Sequence, residues 1–64
     1  FMNYEEAVEL TNRFPRDRTV PGKLAKAIEE STGKEKELLG ELVEGLIISC
    51  KNFSDYDLVY KYFE

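Results

Sequence analysis

Histidine and tryptophan are absent from this 64-residue chain, and cysteine occurs once, as Cys50. The first absence removes the side chain most often used as acid or base near neutral pH, and a common metal ligand. One thiol cannot form an intramolecular disulfide, and without histidine it does not suggest a metal cage, so neither a metal nor a cofactor is expected. No apolar run approaches the ~20 residues needed to cross a bilayer. The first residues also lack the basic region and apolar core of a secretory signal, so a cytoplasmic protein without a membrane partner is expected. With a net charge of −4, the chain is poorly suited to replacing phosphate counterions, and nucleic acid is not the expected partner.

The helical patterning is what the sequence has most of. From Lys34 to Lys51, the residues Leu38, Leu39, Leu42, Val43, Leu46, Ile47 and Cys50 recur at the i, i+3, i+4, i+7 spacing of an amphipathic helix. No other segment is as long or as apolar. A chain of this length forms a single domain, residues 1–64, and buries only about 60% of its unfolded surface. The expected fold is all-α: four short helices at about 4–13, 20–31, 33–51 and 55–63, with the third at the centre.

Local signals set these boundaries. Asn3 with Glu6 three residues on forms a capping-box pattern, and Pro15 ends the first helix because the residue before a proline is pushed out of the helical region. Tyr4, Ala7, Val8, Thr11 and Phe14 should face inward, with Leu10 on the edge. Thr19 is a candidate cap for the second helix, where Pro21 fits the first turn. Thr32 and Glu35 have the form of a second capping box. Gly40 and Gly45 inside the third helix each cost about 1 kcal/mol against alanine, which suggests close approach of a neighbouring backbone. Ser54 is the candidate cap of the last helix, and Phe53 with Leu58 the candidate hydrophobic staple.

Catalytic readings are weak. Cys50 lies on an apolar face with no histidine to activate it, and Glu37, Glu41 and Glu44 form the stripe of a solvated helix face. A non-catalytic protein is expected. The segment from Leu24 to Ile28, followed by a tight turn and another helix, has the outline of a helix-turn-helix. Its second helix, however, would carry Glu35, Glu37, Glu41 and Glu44 towards the phosphates.

Two clusters remain. The C-terminus combines Tyr56, Tyr60, Tyr62 and Phe63 with Asp55 and Asp57, more aromatic surface than one short helix can bury, and tyrosine is enriched in binding hot spots. Ile48 lies among the glutamates of the third helix, opposite its apolar face. Tyr56, Tyr60, Asp55, Asp57 and Ile48 are therefore the candidate binding residues of a protein-interaction module, an acidic inhibitor or regulator that occupies a basic surface of a partner protein. Alternatively, the same residues join two copies in a homodimer. The second cluster, Arg13, Arg16, Arg18, Lys23 and Lys26, carries five positive charges against Asp17 alone between residues 11 and 26. It is a candidate anion or nucleic-acid site.

Overall fold

The computed structural model describes residues 2–63 and contains four helices: α1 (Tyr4–Thr11), α2 (Val20–Glu30), α3 (Gly33–Ser49) and α4 (Phe53–Phe63). At the start of α1 the capping box is complete: the Asn3 side chain accepts from the Glu6 amide at 2.8 Å, and the Glu6 carboxylate accepts from the Asn3 amide at 3.1 Å. Both satisfy amides that the helix itself leaves without partners. Beyond Thr11 the chain passes through turns, and Phe14 drops into the core from the connector rather than from the helix. The buried arc of α1 centres on Ala7 and Leu10, while Tyr4 sits at the rim. The helix is thus rotated towards Leu10, because it packs against both α2 and α3.

In α2 the buried face is Val20, Pro21, Leu24 and Ala27. Pro21 is accommodated in the first turn, where its missing amide has no helical acceptor. Thr19 holds the N-cap position without a side-chain cap bond: its hydroxyl and its amide both donate to the Asp17 carboxylate, at 2.6 and 2.9 Å. The helix ends at Ser31, whose buried hydroxyl donates to the Ala27 carbonyl at 2.7 Å.

Helix α3 touches each of the other three helices, as its apolar stripe requires, and α2 does the same. Leu39 and Leu46 are fully buried, with Leu42, Val43, Ile47 and Cys50 packed against the core from the sides. Among the described residues α1 and α4 do not meet, so the α2–α3 pair forms the keel to which both outer helices attach. Thr32 makes no side-chain cap bond at the start of α3, so the second capping box is not formed. Instead Gly33 turns the chain with φ +60°, a left-handed conformation that glycine alone adopts at little cost.

Close approach occurs at a different glycine from those the sequence suggested. A Cβ at Gly40 or Gly45 would meet no neighbour within 4 Å among the described residues, whereas one at Gly22 would lie 3.2 Å from the Tyr62 ring. The first turn of α2 and the last turn of α4 meet there. Gly40→Ala and Gly45→Ala should therefore each stabilise the fold by about 0.5–1 kcal/mol, because only the entropic cost of glycine is removed. Gly33→Ala should destabilise it by about 1–2 kcal/mol through its left-handed backbone. Urea unfolding of the three variants measures both signs, and destabilisation by Gly40→Ala or Gly45→Ala would show a packing role for those two glycines.

Candidate functional site

Helix α4 begins two residues earlier than its sequence suggested, and this shift decides what its two faces carry. The cap is Asn52, whose side-chain oxygen accepts from the Asp55 amide at 3.0 Å. Phe53 is the first helical residue and is 86% exposed, so it does not staple onto Leu58. Ser54, expected to cap the helix, accepts from Arg18 through both its hydroxyl (3.1 Å) and its carbonyl (3.2 Å).

Asp55 then falls on the inner face and is only 3% exposed, which removes it from any docking surface. A buried carboxylate must find charged or hydrogen-bonding partners. It has them: one oxygen pairs with the Arg18 guanidinium and the other accepts from the Lys51 amide at 2.9 Å. Arg18 also reaches the Pro15 carbonyl at 3.4 Å and lies 5.8 Å from the centre of the Phe14 ring. One guanidinium thus joins the α1–α2 connector to the start of α4.

The outer face of α4 carries Phe53, Tyr56 and Tyr60, spaced i, i+3, i+7 and therefore within about 60° of one another around the helix. Tyr56 is 37% exposed and Tyr60 45%, and their rings stack with centroids 6.3 Å apart and planes 14° from parallel. Asp57 is exposed on the same face. Lys61, the next charge along, turns towards Tyr62, with its ammonium 5.7 Å from that ring's centre. Val59 is fully buried on the opposite side, where Leu58 and Phe63 pack against the core. Tyr62 is half out of the core, its ring edge resting on Gly22.

Of the five candidate binding residues, the structure therefore brings Tyr56, Tyr60 and Asp57 together on one face and turns Asp55 inward. Ile48 is 83% exposed on the last turns of α3, a different helix, and none of the described residues covers it. Phe53 belongs with the tyrosines and was missed. The sequence signal for it was Asn52 followed three residues later by Asp55, a capping pattern that starts the helix early enough to place Phe53 in register with Tyr56 and Tyr60.

The five basic residues do not act together. Arg18 is engaged with Asp55, Arg13 pairs with Glu9 at 3.5 Å, and Arg16 donates to the Asn12 carbonyl at 3.4 Å. Lys23 and Arg13 share the lining of an open groove of about 520 Å³ with Glu6, Glu9 and Glu30, so negative charge accompanies the positive. Lys26 is exposed on α2. In the anion site expected from residues 13–26, Arg18 is therefore already paired with Asp55.

Two carboxyl groups are shifted by this connector. Asp55 is held below its ordinary value of 3.8, first by the Arg18 hydrogen bond and then by the Lys51 amide, with burial opposing both. Asp17 is lowered mainly by the Thr19 hydroxyl and amide. Burial pushes the Cys50 thiol upward, with Asp55 adding to the effect, and its sulfur contacts the Leu46 carbonyl at 3.3 Å. Cys50 is half-buried, packed against the edge of the core.

No family model, curated protein or solved structure matches the chain.

The lowered carboxyls have a consequence for acid stability. The folded protein binds these protons more weakly than the unfolded chain does, so their stabilisation is complete above the unfolded carboxylate range. It is lost as pH falls from about 5 through 3.8 towards the folded values. Unfolding measured from pH 7 to pH 3 should show a steeper loss in the native chain than in Asp55→Asn, with the double variant Asp17→Asn/Asp55→Asn flatter still. Parallel curves would contradict the assignment of acid sensitivity to these two groups.

Proposed function

We propose that this chain is a non-catalytic protein-interaction module, a small acidic inhibitor or regulator that presents the outer face of α4 to a basic surface of a partner protein. One observation carries the reading: Phe53, Tyr56 and Tyr60 lie exposed on a single helix face around Asp57. Isolated exposed apolar residues are ordinary, but aligned rings gathered on one face mark interaction surfaces. Tyrosine and phenylalanine also bring large contact area with only two side-chain torsions to restrict. The stacking of Tyr56 on Tyr60 reduces that cost further by restraining both rings before binding.

The charge of the chain fits the same reading. A net charge of −4 accelerates encounter with a basic surface and repels nucleic acid and other acidic proteins. The reading as non-catalytic is supported by the lack of histidine and by the environment of Cys50, whose partial burial pushes the thiol pKa upward. Anion binding through residues 13–26 is the weaker alternative, because Arg18 is occupied by Asp55 and Arg13 by Glu9.

Tyr56→Ala combined with Tyr60→Ala tests the surface directly. Capture of the partner from a lysate of the source cell should fall at least about tenfold, since truncating two hot-spot rings costs several kcal/mol of binding. Thermal stability should change little in comparison. A variant that loses stability while capturing its partner as before would show that the tyrosines belong to the core.

A further inference from the structure

We infer that the groove lined by α1 and α2 binds a small zwitterion: its carboxylate meets Arg13 and Lys23, its ammonium meets Glu6 and Glu30, and an aliphatic stem lies over Leu10 and Ala27 between them. The site shares no residue with the outer face of α4, so the inference does not depend on the reading above. Both sides of the groove have the same pattern, an apolar residue between charges of opposite sign at i, i+4, i+7. Glu6, Leu10 and Arg13 come from α1 and the turn after it, and Lys23, Ala27 and Glu30 from α2. That spacing puts each set on one side of its helix.

The two helices run antiparallel along the groove, so like charges gather at each end. Glu6 and Glu30 also line an adjoining hollow of about 270 Å³, which Glu35 joins and which neither Arg13 nor Lys23 reaches. That marks the acidic end. At the other end, Arg13 and Lys23 both lie near enough to Asp17 to help lower its pKa. Asp17 does not line the groove, and its carboxylate is engaged by Thr19. Among the described residues no ion pair crosses from α1 to α2: Arg13 pairs with Glu9 on its own side, and Lys23 and Glu30 make no salt bridge.

Charge complementarity names the occupant. An anion alone is repelled by the carboxylates and a cation alone by Arg13 and Lys23, whereas a ligand bearing both charges gains at each end. Lys23 and Glu30 are seven residues apart, about 10 Å along the axis of α2. That is roughly the span from amine to carboxylate in an extended tripeptide. The Glu9–Arg13 pair does not close the site, because its side chains are 76% and 54% exposed and a solvated pair of this kind is weak. Leu10 and Ala27, buried at the groove floor, supply the apolar contact for the stem. A second copy presenting the same groove would leave the space between two concave faces unfilled.

The test follows the amides of the isotope-labelled full chain by NMR during addition of trialanine or ω-aminooctanoate, two zwitterions of that length. Saturable shifts centred on Leu10, Lys23, Ala27 and Glu30 are expected, with a dissociation constant in the millimolar range or tighter. Acetylating the amine or amidating the carboxylate of trialanine should weaken binding at least about fivefold, and Lys23→Glu and Glu30→Lys each at least about tenfold. Both side chains are exposed, so these variants keep the fold. Binding of either probe supports the site, and comparing the two shows whether it prefers peptide groups or a bare stem. No saturable shift from either probe, equal binding of the blocked peptides, or the same shifts from a mixture of ethylamine and propionate would overturn it. Shifts at these residues that grow with protein concentration alone would give the groove to a second copy and overturn it as well.

Discussion

The contact between Arg18 and Asp55 is the constraint on which the rest of this structure depends. Helices α1 and α4 do not meet among the described residues; α4 packs on α2 and α3, and an extension of the α1–α2 connector also grips its first turn. That extension is one guanidinium, which holds the Asp55 carboxylate and the Ser54 carbonyl and hydroxyl on α4 and the Pro15 carbonyl on its own side. Charge-assisted bonds of this kind are stronger and more directional than neutral ones. In a chain with one cysteine and no histidine, they take a place that a disulfide or metal holds in many domains of similar size.

A half-buried ion pair is weak grounds for claiming stability, because desolvation of Asp55 offsets much of the attraction. Its larger consequence here is orientational. The carboxylate of Asp55 meets Arg18 with one oxygen and the Lys51 amide with the other, in the same rotation of α4 that buries Val59. With Asp55 and Val59 turned inward, Phe53, Tyr56 and Tyr60 must turn outward. The exposed aromatic face is thus the geometric complement of the internal pair, and the Gly22–Tyr62 contact lies at the far end of the same helix.

Much of the architecture was legible in the sequence because helix ends have local causes. Asn3 with Glu6, the stop at Pro15 and the apolar stripe from Leu38 to Cys50 each point to one answer, and the four helices follow. The readings that failed depended on which of two local competitors would win. Thr19 could cap α2, but Asp17 lies close enough to take both its hydroxyl and its amide. Ser54 could cap α4, but Asn52 does so and moves the helix by two residues. Gly40 and Gly45 resemble contact glycines in sequence, yet the contact lies at Gly22, whose neighbour Tyr62 is 40 residues away in the chain. Long-range pairs of this kind, Arg18 with Asp55 above all, have no periodic signature. For the candidate site the outcome was divided accordingly: the tyrosines and Asp57 could be found by composition, while the inward turn of Asp55 and the exposure of Phe53 needed the register of α4.

The amide of Lys51 offers the most direct test, because it donates to Asp55 only while that carboxylate holds its place against Arg18. Hydrogen exchange by NMR on the native chain and on Arg18→Gln measures this residue by residue. The account predicts that Lys51 and Asp55 amides are protected in the native chain and lose protection in the variant, while Leu24 and Leu39 in the α2–α3 keel keep theirs. An unprotected Lys51 amide in the native chain, or protection unchanged by the loss of Arg18, would contradict the claim that this pair fixes α4.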